Sequence, residues 1–102
     1  MRYRPLKVED IEKRIVPILK KYNIPKAAVF GSSARNEMRR GSDVDIIVDA
    51  DNLMSGLVFI EVKRKLENTL GRKVDLISYH SLQYSNNKDE ILAGAKVIYE
   101  KR

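Results

Sequence analysis

The sequence predicts an α/β (α+β) domain: a small mixed β-sheet with helices packed on it. Two observations carry that expectation. Apolar residues recur at helical spacing in two long stretches, and short β-type runs rich in Val and Ile stand between them. Helical and extended segments therefore alternate along a chain of 102 residues, which leaves room for one domain, 1–102, and no second.

Val8, Ile11, Ile15, Ile18, Leu19 and Tyr22 predict an amphipathic helix over 8–22, with Glu and Lys between them. Pro17 lies inside it, so a kink or a later start is expected there. Asn23-Ile24-Pro25 closes that segment, and Lys26 to Phe30 reads as a short strand ending at Gly31. Ser33-Ala34-Arg35 then opens a helical turn. Asp43–Asp49, DVDIIVD, is the clearest strand, with Val44, Ile46 and Val48 on one face by alternation. Asp51-Asn52 reads as a cap for a helix over about 54–70, in which Val58, Val62, Leu66 and Leu70 repeat every fourth position. Gly71 terminates it. Lys73–Ser78 is a third strand, Lys88–Ala95 a helix, and Lys96–Glu100 a short final strand.

Composition excludes several chemistries. There is no cysteine, and His80 is the only histidine, so thiolate metal sites, thiol nucleophiles, His-rich metal sites and most His-based triads are unavailable. A metal here would be a hard cation held by carboxylate oxygen. No apolar run approaches the roughly 18 residues that a membrane span needs, and no secretory signal opens the chain, so a cytoplasmic protein is expected. The net charge of +6 points to a polyanionic partner such as nucleotide phosphates, nucleic acid or an acidic protein face.

Candidate chemistry concentrates in residues 31–45. A glycine after a strand permits a tight turn and close approach of a ligand to the backbone. The Ser32 hydroxyl and the free N–H groups of a following helical turn make an anion site. Asp43 and Asp45, two apart on a strand, project from one face with Cα atoms about 6.5–7 Å apart. Carboxylates so placed repel unless a cation such as Mg2+ lies between them. Asp49 lies about 13 Å beyond Asp45, too far to share that ion; it and Asp51 read as strand-end and capping residues. Asp75 faces away from Val74 and Leu76 in a strand that looks buried, where an unpaired charge is costly. If the two Asp-bearing strands are neighbours, three carboxylates converge as a two-metal site, or as metal ligands plus a general base.

Gly31-Ser32, ten residues, then Asp43-Val44-Asp45 resembles the signature of the DNA polymerase β-like nucleotidyltransferases. The wider wording, Val29-Phe30-Gly31-Ser32-Ser33-Ala34-Arg35 with Ser42-Asp43-Val44-Asp45-Ile46-Ile47-Val48, is similar to the minimal nucleotidyltransferase (MNT) subgroup. The resemblance implies that Gly31 and Ser32 hold the β,γ-phosphates of a nucleoside triphosphate. Arg35 would bind phosphate or brace the loop, and Ser42 joins the nucleotide-binding set. Asp43, Asp45 and Asp75 would be catalytic and hold two Mg2+ ions, with Asp75 helping to activate the acceptor hydroxyl. One departure is Asn36, where the family commonly has Gly; Asn also tolerates a left-handed cap. Arg39 and Arg40 read as solvated loop charge, and Tyr79, Tyr84 and Tyr99 as packing residues.

The resemblance further implies an antitoxin of a HEPN/MNT toxin–antitoxin pair, moving AMP from ATP onto a tyrosine of the HEPN toxin. The acceptor site would then come from a partner or from a homodimer mate. Two other readings stand beside it: a catalytically silent binding antitoxin or regulatory module, and nucleotide transfer to a small molecule or an RNA end. Nucleic acid is the less favoured partner.

Overall fold

The computed structural model describes residues 6–35, 42–50 and 56–101. Helix α1 (Val8–Lys21) starts where the Lys7 N–H donates to Asp10 Oδ2 at 3.0 Å, which satisfies one of the orphan donors of a helix N-terminus. Its buried stripe is Ile11, Ile15 and Leu19. It ends in a Schellman motif: Asn23 adopts φ 56°, Ile24 N–H donates to Leu19 O at 2.9 Å, and Asn23 N–H donates to Lys20 O at 3.2 Å. The helix runs through Pro17, which is exposed, so the later start does not occur.

Strand β1 (Lys26–Val29) leads into the one-turn helix α2 (Gly31–Ala34), and strand β2 is Val44–Val48. Helix α3 (Gly56–Leu70) follows, then strand β3 (Val74–Ser78), short helices α4 (Tyr79–Leu82) and α5 (Lys88–Gly94), and strand β4 (Lys96–Glu100). The sheet order is β3-β2-β1-β4. β1 is antiparallel to both β2 and β4, whereas β2 and β3 run parallel, a pairing that requires a crossover, here α3. Helices α1 and α3 pack together on one face of the sheet. They enclose Ile11, Ile15, Leu19, Val62 and Leu66 with Ala27, Val29, Val44, Ile46, Val48, Val74 and Leu76.

Several expectations change in detail. Phe30 lies outside β1 and enters α2 in an extended conformation. Ile47 is buried along with its alternating neighbours; on the opposite face it pairs with buried Ala28, so the middle of the sheet is covered on both sides. Helix α4 was not expected; it forms because Ser78 Oγ accepts the Ser81 N–H at 3.0 Å. Tyr99 packs against the core and Tyr79 is half-buried under Lys26, 5.2 Å from its ring centre. Tyr84 instead stands exposed beside His80 and does no core packing. Asp51-Asn52, Asn36, Arg39 and Arg40 lie outside the described residues.

Candidate active site

The site is assembled where β1 ends and where β2 and β3 begin. The antiparallel β1–β2 pair and the parallel β2–β3 pair bring those three ends to one side of the sheet.

At that end Gly31 adopts φ +61°, a conformation that disfavours any residue with a Cβ. Space makes the same demand: a Cβ at Gly31 would lie 2.6 Å from Asp45 Oδ2. The glycine backbone thus abuts the Asp45 carboxylate, and whatever binds at this turn meets Asp45 directly. Two hydrogen bonds fix the arrangement. Phe30 N–H donates to Asp45 O at 3.0 Å, and Asp45 N–H donates to Ser33 Oγ at 3.1 Å. Ser33 is fully buried, the one buried polar residue among those described. Both main-chain polar groups of Asp45 are therefore committed to the segment that forms the turn.

The second pairing supplies the other carboxylate. Asp45 is the register partner of Asp75 across β2 and β3, so the two side chains leave the same face on strands ~4.8 Å apart. Asp43, two residues before Asp45, projects to that face by the pleat of the strand. Asp45 is half-buried, while Asp43 and Asp75 are exposed. The burial expected for Asp75 is not observed, because β3 is an edge strand and its outer face is open. Burial pushes the Asp45 carboxyl above the usual carboxylate range, and the nearby Asp75 and then Asp43 charges push it further.

A binding site for a hard cation fits these residues. The donors are all carboxylate oxygens, and a cation would relieve the repulsion that raises the Asp45 proton affinity. Among the described residues no three His, Cys, Asp or Glu side chains are grouped so as to hold a metal ion by themselves. The open arrangement suits Mg2+, which keeps waters and takes phosphate oxygens as further ligands.

The remaining candidates are placed around this centre. Ser32 is half-buried in α2, and Arg35 is exposed at its C-terminal end, where its N–H donates to Ser32 O at 3.3 Å. Ser42 is half-buried, and its carbonyl accepts from Arg72 Nη1 at 3.4 Å. The structure thus groups Gly31, Asp45 and Asp75, sets Asp43 and Ser32 beside them, and leaves Arg35 at the rim.

Sequence reasoning missed three contributors. The sequence marks Ser33 only as the start of a helical turn, although its hydroxyl joins that turn to β2. Arg72 braces the approach to Asp43 through Ser42, and Glu67 Oε2 accepts the Val74 N–H at 2.9 Å, fixing the residue before Asp75. The serine doublet after Gly31 was the only visible hint of the first; the other two are side chain-to-backbone bonds between elements, which leave no pattern in a sequence.

Residues 13–102 match the family described as "Polymerase beta, Nucleotidyltransferase". The Methanocaldococcus jannaschii protein MJ0435 is 39% identical over 87 residues, covering 85% of this chain and 92% of its own length. A Thermococcus cleftensis protein named protein adenylyltransferase MntA is 38% identical over 82 residues, covering 76% and 83% respectively. Among solved structures, one of a tri-AMPylated Shewanella oneidensis HEPN toxin in complex with MNT antitoxin contains a chain of the same fold. Its TM-score is 0.66 at 19% identity, with 92% of this chain and 73% of that chain covered.

Proposed function

The chain belongs to the polymerase β nucleotidyltransferase family, and from that membership we propose that it is a protein adenylyltransferase, acting as the antitoxin of a HEPN/MNT pair in the cytoplasm. The observation that carries this reading is the juxtaposition at one sheet end: the Gly31 backbone against Asp45, and Asp45 in register with Asp75. The relatives' naming as protein adenylyltransferases, at 38% identity for the Thermococcus cleftensis protein, supports AMP as the group moved. The AMPylated HEPN toxin in the Shewanella oneidensis complex supports the acceptor class.

In this reading residues 1–102 act as one nucleotidyltransferase domain. Gly31 and Ser32 hold the β,γ-phosphates of ATP, with Arg35 at the rim and Ser42 at the approach to Asp43. Asp43, Asp45 and Asp75 hold Mg2+, two ions in the full site. The metal supplies charge neutralisation on the phosphates and lowers the proton affinity of bound hydroxyls. Asp75, exposed at the sheet edge, faces the incoming acceptor and receives its hydroxyl proton. The acceptor oxygen attacks the α-phosphorus in line, the bond to the β-phosphate oxygen breaks, and pyrophosphate leaves. Positioning and electrostatics account for most of the catalysis in such a transfer.

The test is intact-mass analysis of the HEPN partner after incubation with the chain, ATP and Mg2+. The partner gains whole adenylyl groups with the native chain, and none with the Asp43→Asn, Asp45→Asn double variant. A double variant that still neutralises the toxin fully would establish the binding-only antitoxin instead.

A further inference from the structure

We propose that the cleft at the α3–β3 turn is the docking site for an acidic segment of the acceptor protein, an inference that rests on the protein-acceptor reading above. The cleft, of about 560 Å³, is lined by Lys63, Glu67, Asn68, Gly71, Arg72 and Lys73. Three of these are cationic. The one acid, Glu67, accepts the Val74 N–H at 2.9 Å and keeps its charge, so three cations against one anion leave the lining net positive.

Its position is tied to the site. Lys73 precedes Asp75 by two residues, and its carbonyl accepts the Val44 N–H at 2.9 Å, between Asp43 and Asp45 in sequence. Arg72 reaches the Ser42 carbonyl next to Asp43. The turn that carries Arg72 and Lys73 therefore lies at the same end of the sheet as the carboxylates. Gly31 lies on the other side, at the end of β1, two strands away in the order β3-β2-β1-β4, or ~10 Å at the usual strand spacing. The β,γ-phosphates held at Gly31 in the reading above lie on that far side, so we assign the positive charge of the cleft to the group arriving at Asp75, which is the acceptor.

Two features select an acidic protein segment. Positive charge flanking the entry steers and registers a chain of opposite sign. Among the described residues no aromatic side chain lines the cleft, so they offer no base-stacking platform of the kind typical of single-stranded nucleic-acid sites. The Asn68 amide, with both a donor and an acceptor, suits a peptide backbone.

The experiment is steady-state adenylyl transfer to the HEPN partner by the native chain and by Lys63→Glu with Lys73→Glu, with Lys63→Gln and Lys73→Gln as the milder pair. Charge reversal raises the KM for the acceptor about tenfold or more, the Gln pair gives a smaller rise, and the KM for ATP stays unchanged. Poly-L-glutamate inhibits the native chain competitively against the acceptor and the reversed variant far less. An unchanged acceptor KM overturns the proposal, as does a parallel rise in the KM for ATP. Competition by oligouridylate stronger than by poly-L-glutamate overturns it in favour of an RNA acceptor. A native chain that transfers nothing defeats the functional reading instead; binding of poly-L-glutamate to the native and reversed chains then decides the cleft separately.

Discussion

Ser33 and Asp45 show how much of the site depends on single side chains. Removing the Ser33 hydroxyl leaves the Asp45 N–H without its acceptor in a closely packed place, which typically costs about 1–3 kcal/mol. Ser33→Ala should therefore lower the free energy of unfolding by that amount and reduce transfer, since the link between the Gly31 turn and Asp45 is lost; equilibrium unfolding and rate measurements on one preparation check both. Asp45 behaves in the opposite sense. Its carboxyl holds its proton more tightly in the fold than in the unfolded chain, so the native state loses stability as pH rises from the ordinary carboxylate range through the raised value. Above that range the cost stays in place. Asp45→Asn should then melt higher than the native chain at neutral pH, and the gap should close as the solution is made acid. Thermal melts across pH measure this, and a variant that melts lower at pH 7 would contradict it. At this scale Asp43, Asp45, Asp75, Gly31 and Ser32 stand out in the sequence as candidates, because spacing and charge mark them. Ser33 does not, because a serine after a serine carries no signal of burial.

Periodicity made most elements readable and their partners unreadable. The i, i+4 repeats of Ile11, Ile15 and Leu19, and of Val62, Leu66 and Leu70, locate α1 and α3, and β2 and β3 follow from β-branched runs. What no periodicity encodes is the parallel register that sets Asp45 beside Asp75; it arises from the crossover through α3 and from the Glu67 bond to Val74. Helix α4 escaped notice because four residues hold too few turns for a period. Pro17 is the element-scale anomaly. It sits in the middle of α1 without ending it, and proline there is about 3 kcal/mol worse than alanine. Pro17 is exposed, so Pro17→Ala should stabilise the protein by on the order of 1–3 kcal/mol, read as a raised melting temperature with transfer activity unchanged. A loss of stability would mean that the proline is set by packing against β4, whose Ile98 and Tyr99 share a groove with it.

At the scale of the molecule, one sheet divides the labour. One face is given to the core under α1 and α3, and one end to chemistry, with a half-buried carboxylate between two exposed ones. The edge position of β3 leaves Asp75 exposed, while the Gly31 turn at the end of β1 lies two strands away. No helix among the described residues is long and apolar enough to cross a membrane. The central claim is nucleotidyl transfer at this sheet end, and the position of the transferred phosphorus tests it most directly. With ATP labelled at the α-phosphate, the account predicts label covalently bound to the HEPN partner, dependent on Asp43 and Asp45, with pyrophosphate released in equal amount. Label transferred only from the γ-phosphate, or no labelled partner alongside full toxin neutralisation, would contradict it.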